Sequence, residues 1–123
     1  MKKVLIAAAL SLMAVGFNAQ AHGNDKAQHG GVVQAAGDMS FELVAQGDGA
    51  LLYIGDHGSP MDASQFTGKL TVLNGAEKTE AELKPAGGNK LAAGPVKLGK
   101  GAKAVATVTL PSSKTLTVRF SVK

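Results

Sequence analysis

The sequence predicts an all-β protein, an antiparallel immunoglobulin-like β-sandwich of seven to eight strands that follows a cleaved signal peptide. Short apolar runs recur at roughly ten-residue spacing, separated by Gly, Asn, Asp, Pro and Ser residues that favour turns. No segment after the first 21 residues shows a convincing helical period. The clearest run has strand periodicity, because polar residues separate its four apolar members, Leu116, Val118, Phe120 and Val122. A small Greek-key barrel is the alternative.

The first 21 residues have the pattern of a secretory signal peptide. Two lysines precede an apolar stretch of 14 residues at 4–17, and Ala19 and Ala21 provide small residues before the cleavage point. The stretch is shorter than the roughly 20 apolar residues that a transmembrane helix needs, although a retained anchor is an alternative. Such a signal peptide would direct the protein to the periplasm. Cleavage after Ala21 would then make His22 the first residue of the mature protein.

The remaining elements follow from the residues that separate the apolar runs. Residues 22–29 are polar without a period, which predicts a flexible N-terminal arm, and residues 30–123 form the predicted sandwich domain. Asn74 and Gly75 predict a hairpin with a type I′ turn, because both residues tolerate the positive φ that this turn requires. The predicted strands contain residues 32–33, 40–45, 50–54, 69–73, 78–84, 91–93, 102–110 and 115–122.

Composition excludes several functional classes. The formal net charge of +4 falls to +2 when the two lysines of the leader are removed. The remaining basic residues form no stripe with interleaved aromatics, so nucleic acid is not an expected partner, and no membrane contact is expected after cleavage. The absence of cysteine excludes thiolate chemistry and disulfides. No nucleophile motif or phosphate-binding loop is present, so we do not expect an enzyme.

Three histidines carry the functional prediction, and each is followed by glycine: His22, His29 and His57. A mature N-terminal His22 would offer its α-amine and its ring Nδ1 as a chelate. A second imidazole, from His29 or His57, would complete a site with three nitrogen ligands. Tetragonal nitrogen sites favour copper(II), which therefore is the predicted metal ion.

Two further residues are candidate ligands in the polar loop at 55–62. Asp56 could orient a ligating imidazole through a hydrogen bond or bind the metal directly, although aspartate is also common in turns. Met61 could provide a thioether, which suits copper(I), although methionine more often fills gaps in a core.

Several short motifs of the chain resemble a group of small exported proteobacterial proteins that are typically encoded near heavy-metal efflux systems. The resemblance involves residues 29–33, 41–44, 52–53 and 56–60. It implies a periplasmic role in metal binding or resistance, with copper, zinc or cobalt as the ion. It also implies that His29 and His57, with Asp56 adjacent, are the matching site positions.

The sequence thus predicts a periplasmic transition-metal-binding protein that acts as a carrier or buffer in metal resistance. Copper is the favoured ion, zinc and cobalt are alternatives, and a periplasmic efflux component is the expected protein partner. One alternative is a protein-interaction module that uses an edge strand of the sandwich and binds no metal. A copper redox enzyme is a further alternative, disfavoured by the short chain and its lack of a flat aromatic surface.

Overall fold

The computed structural model describes residues 26–57 and 59–123, and within these ranges it contains nine β-strands and no helix. The predicted signal peptide and His22 lie outside the described residues. In the described part of the chain, no helix has the length and apolar character to cross a membrane. The strands are β1 (Val32–Ala36), β2 (Met39–Gln46), β3 (Gly49–Asp56), β4 (Ser59–Pro60), β5 (Thr67–Asn74), β6 (Glu77–Pro85), β7 (Lys90–Ala93), β8 (Lys103–Thr109) and β9 (Thr115–Ser121).

The strands form one antiparallel sheet in the order β1-β2-β3-β7-β6-β5-β8-β9, and the two-residue β4 pairs with β3. Strand β1 lies against β9, so the sheet nearly closes into a barrel. Strands β5, β6 and β7 are consecutive neighbours, and β8 returns to the side of β5 that faces away from β6, which is a Greek-key arrangement. The all-β antiparallel class is confirmed, whereas the immunoglobulin-like sandwich of seven to eight strands is not.

A single hydrophobic core fills the barrel and draws on strands from its whole circumference. Alternation along each strand produces this core, because every second side chain points to the same face. The prediction for the last strand is confirmed, since Val118 and Phe120 are buried and Leu116 is half-buried. The largest side chains with almost no exposed surface are Phe41, Phe66, Leu43, Leu52, Ile54, Leu70, Leu83 and Leu91.

The hairpin predicted at Asn74 and Gly75 connects β5 and β6, but its turn lies one residue later than predicted. Asn74 is the last paired residue of β5 and lies opposite Glu77, so Gly75 and Ala76 form the two-residue loop. Among these loop residues only Gly75 has a positive φ, of 63°. A type II′ turn requires glycine at its first central position only, and this requirement explains the shift.

Residues 26–31, here called the N-terminal segment, lie against the outer face of β2 and β3. Gly31 approaches β2 so closely that a Cβ atom at this position would overlap the carbonyl oxygen of Leu43 and lie 2.8 Å from Cγ2 of Val44. Glycine therefore permits the segment to enter β1 directly beside β2. The contact places His29 over the sheet.

Candidate functional site

Glu42 is the one charged or polar residue that is buried in the described ranges, with 6% of its surface exposed. It lies in β2 between Phe41 and Leu43, which are buried in the core. Strand alternation directs Glu42 to the opposite, outer face. The N-terminal segment covers Glu42 there. This segment, and not the hydrophobic core, therefore shields the carboxylate from water.

Four nitrogen atoms of the N-terminal segment contact the Glu42 carboxylate. The Oε1 atom lies 3.0 Å from the backbone nitrogen of Gln28 and 3.0 Å from Nδ1 of His29. The Oε2 atom accepts hydrogen bonds of 2.8 Å from the backbone N–H groups of His29 and Gly31. Each carboxylate oxygen thus has two partners, which satisfies a charged group that burial would otherwise disfavour.

These contacts determine the acidity of Glu42. Burial by itself raises the pKa of the carboxyl, because it disfavours the charged form. The hydrogen bond with the His29 side chain, together with those from the backbone of Gly31, Gln28 and His29, stabilises the anion and outweighs burial. The pKa of Glu42 is therefore lowered from its ordinary value of 4.5.

The His29 ring is fixed by a second contact, with Tyr53 of β3. The two rings are stacked, with centroids 3.6 Å apart and planes inclined by 4°. Tyr53 is directly opposite Glu42 in the β2–β3 ladder, so both side chains emerge from the same part of the outer face. His29 is thus held at its edge by a carboxylate and on its face by an aromatic ring.

His29, Glu42 and Tyr53 line a cleft of about 290 Å³ on this side of the molecule. One wall belongs to the N-terminal segment, which contributes Lys26, Gln28 and His29. The facing part comes from the end of β3 and from β4, with Gly55, Ser59 and Pro60. The cleft thereby brings the predicted arm and the predicted ligand loop to one place.

His57 occupies the tip of the β3–β4 hairpin. Asp56 pairs with Ser59, so His57 is the first residue of the two-residue loop, and it has a φ of 53°. Its ring is exposed, and Nε2 lies 3.5 Å from Oδ1 of Asp56. Its backbone N–H donates a hydrogen bond of 3.4 Å to the carbonyl oxygen of Asp38. Neither His57 nor Asp56 lines the cleft, although Gly55, Ser59 and Pro60 of the same region do.

The other predicted ligands have different surroundings. Met61 is half-buried and packs against the core, and its backbone N–H donates a hydrogen bond to the carbonyl oxygen of Ile54. His22 lies outside the described residues. Within residues 26–57 and 59–123, no three His, Cys, Asp or Glu side chains come together as a group that could hold a metal ion.

The sequence reasoning missed Glu42 and Tyr53 as parts of the site. One signal for Glu42 is present in the chain, because it interrupts the apolar run Phe41 to Val44 with a charge. Strand alternation alone assigns such a residue to a solvent-facing position. Only the fold reveals that residues 11 to 14 positions earlier in the chain cover this position.

Comparison with known proteins identifies no relative of this chain, since no family model, curated protein sequence or solved structure matches it.

Proposed function

We propose that this protein binds one transition-metal ion in the periplasm, most favourably copper(II), and acts as a carrier or buffer in metal resistance. The observation that carries the proposal is that the N-terminal segment and the β3–β4 region line the same cleft. Of the predicted ligands, His29 belongs to the N-terminal segment and Asp56 and His57 belong to the β3–β4 hairpin, whereas His22 precedes the segment and Met61 follows β4 in the chain. A shared cleft is the arrangement that a site with nitrogen ligands from both would require.

The length of the chain before the cleft is compatible with chelation by the mature amino terminus. His22 precedes Lys26 by four residues, and Lys26 lines the cleft. Four extended residues span at most about 14 Å. The α-amine and ring of His22 can therefore reach the cleft once the signal peptide is removed. Copper(II) favours the tetragonal nitrogen coordination that such a terminus and further imidazoles would provide.

His29 is the imidazole for which the geometry offers the strongest support, because its ring is fixed at the wall of the cleft. His57 is the proposed second imidazole, and its exposed position leaves the side chain free to turn. Asp56 would orient His57 through the contact that the two side chains already make. Met61 is the proposed thioether ligand for copper(I). Zinc and cobalt are the alternative ions.

The proposed partner is a periplasmic efflux component that receives the ion. A ligand set containing an α-amine releases metal in mild acid, because the amine must be deprotonated to bind and its ordinary pKa is about 7.7–8.0. Such a site suits reversible transfer of an ion. In this role the cleft binds and releases the ion and carries out no chemical reaction.

We propose that the barrel is flattened, so that β1-β2-β3-β7 and β5-β8-β9 face each other as the sheets of a sandwich do. Strand β6 supports this division, because its first part pairs with β5 and its last two residues pair with β7. An experimental structure that shows a round barrel cross-section would contradict it.

A copper titration of the exported protein tests the proposed function. Tyr53 is the only tyrosine and tryptophan is absent, so ultraviolet fluorescence reports on the ring stacked on His29. We expect copper(II) to quench this fluorescence with a saturating one-to-one curve. We also expect thermal stabilisation, of about 2.7 kcal/mol at 100 times the dissociation constant.

Three variants identify the ligands. One extra residue before His22 removes the chelate geometry of the α-amine and should weaken copper binding, as should His29→Ala. His57→Ala should weaken binding less, because His57 is a single exposed ligand. Equal affinity of the extended and the native forms would eliminate the chelating terminus. The absence of any effect of copper, zinc or cobalt on stability would favour the interaction module.

A further inference from the structure

The burial of Glu42 is not explained by the packing of the hydrophobic core. A buried carboxylate is costly unless hydrogen bonds compensate for lost hydration. An apolar residue at this position of β2 would avoid this cost, but it would leave the backbone N–H groups of Gln28, His29 and Gly31 without their acceptor. Glu42 instead engages His29 through both the backbone and the ring. The contact with the His29 ring is additional to the contacts that hold the backbone of the N-terminal segment on β2.

Three contacts restrict the His29 ring. The bond between the His29 backbone N–H and Oε2 fixes the Cα position, and the contact of 3.0 Å between Nδ1 and Oε1 fixes the rotation of the side chain. The parallel stack on Tyr53 fixes the plane of the ring. A carboxylate only accepts hydrogen bonds, so the nitrogen that faces it must carry the hydrogen.

We infer that Glu42 is a positioning residue that holds the neutral His29 ring with its hydrogen on Nδ1 and leaves Nε2 as the nitrogen that binds the metal ion. Carboxylates that receive a hydrogen bond from a ligating imidazole fix its tautomer and orientation and increase its basicity. The metal-binding half of this inference rests on the proposed function. The tautomer half does not, because it concerns the protein without metal.

Glutamine has nearly the same size as glutamate, but one of its two terminal groups donates hydrogen bonds instead of accepting them. In Glu42→Gln, the amide NH₂ group can face Nδ1 and donate to it, which favours a ring with its hydrogen on Nε2. That tautomer leaves Nε2 without a free electron pair. Glu42→Asp keeps two acceptor oxygens, although one methylene closer to the strand. Glu82→Gln is the matched control, because Glu82 is exposed.

The experiment combines imidazole ¹⁵N NMR of the metal-free mature protein with the copper titration followed by Tyr53 fluorescence. We expect the Nδ1–H tautomer of His29 in the native protein, in Glu42→Asp and in Glu82→Gln. We expect a shift toward the Nε2–H tautomer in Glu42→Gln. Copper affinity should fall about 10- to 100-fold in Glu42→Gln. It should stay within about tenfold of the native value in Glu42→Asp.

The outcomes separate the two proposals. A native His29 ring in the Nε2–H tautomer overturns the inference even when copper binds. An Nδ1–H tautomer in a protein that binds no copper, zinc or cobalt supports the positioning of the ring and overturns the proposed function. Unchanged copper affinity in a folded Glu42→Gln variant overturns the role of Glu42 in metal binding. If this variant does not fold, the tautomer of the native protein decides.

Discussion

Glu42 and His29 owe their environment to residues that are distant in sequence. The carboxylate is covered because the N-terminal segment folds back across β2, and the segment stays in place because the carboxylate binds its N–H groups. Hydrogen bonds to charged groups contribute about 1.5–3 kcal/mol each, more than neutral ones. A single carboxylate therefore orders a segment that composition alone presents as flexible.

The lowered pKa of Glu42 makes part of the stability depend on pH. The folded protein binds this proton less tightly than the unfolded chain does. The stabilisation is therefore present above the ordinary pKa of 4.5 and is lost as pH falls through the lowered value. In the metal-free protein, we expect Glu42→Gln to reduce the free energy of unfolding at neutral pH by roughly 1.5–3 kcal/mol.

This difference should shrink below pH 4.5, as urea denaturation of both proteins at several pH values would reveal. The exposed Glu82→Gln serves as the control for loss of a negative charge. A difference that grows toward acid pH would contradict the assignment of the four hydrogen bonds.

The stack between His29 and Tyr53 gives a second prediction. Tyr53→Phe keeps the ring, whereas Tyr53→Leu keeps only apolar volume. Aromatic pairs contribute about 0.5–1.5 kcal/mol beyond the burial of their area. We therefore expect Tyr53→Leu to be less stable than Tyr53→Phe by about this amount, as measured by urea denaturation followed by circular dichroism. Equal stability of the two variants would show that the stack contributes nothing.

The sequence was sufficient to indicate His29 but not its partners. A histidine followed by two glycines in a polar segment suggests a ligand because those residue types are informative by themselves. Glu42 carries no such local mark, since an outward glutamate in a strand is ordinarily solvated. Its burial depends on a contact between segments, which a single sequence does not encode in any periodic pattern.

At the scale of the elements, Gly31 is the point where the N-terminal segment approaches β2 too closely to carry a side chain. No side chain larger than hydrogen fits there, because the carbonyl of Leu43 occupies the space. The segment enters β1 at this point, and β1 in turn pairs with β2 from Val32 to Ala36. The position of Gly31 thus determines how closely the segment can follow the strand beneath it.

Replacement of Gly31 tests this element. We expect Gly31→Ala to destabilise the protein by about 1–3 kcal/mol, the usual cost of an overpacked contact. It should also increase amide hydrogen exchange at Gln28 and His29, because the segment must move away from Glu42. Gly99→Ala is the control, since the nearest atom to its added Cβ is the side-chain oxygen of Asn74 at 3.2 Å. A larger effect at Gly99 than at Gly31 would contradict the argument.

Elements formed by local interactions were easier to predict from the sequence than pairings between distant strands. The β8–β9 and β5–β6 hairpins are local, and the sequence predicted the strands of both but predicted a hairpin only for β5–β6. The turn at Gly75 was misplaced by one residue because type I′ and II′ turns share the same glycine signal. The pairing of β3 with β7 and of β5 with β8 joins distant strands, and no pattern in the chain specifies it.

At the scale of the whole molecule, one core holds together the strands on both sides of the near-barrel. Leu52 of β3 and Leu70 of β5 belong to different parts of the strand order but to the same buried cluster. Neither part can lose its packing without exposing the other. We therefore expect the described domain to unfold in one cooperative step.

Leu52→Ala and Leu70→Ala test this cooperativity. Each should lower the free energy of unfolding by about 2–5 kcal/mol, because each leaves a cavity in a closely packed interior. Native-state hydrogen exchange should show the loss in strands across the whole sheet, and not only beside the substitution. Protection that falls in β1 to β3 alone for Leu52→Ala would indicate two independent units.

The placement of Glu42 and Tyr53 on the outward side of β2 and β3 has a consequence for how this protein can change. The same strands present Phe41, Leu43 and Leu52 inward, so the hydrophobic core and the proposed metal site lie on opposite faces of the same strands. Substitutions on the outer face leave the side chains that fill the core in place. The ligand preference of the proposed site could thus change among descendants of this chain while the barrel is inherited intact.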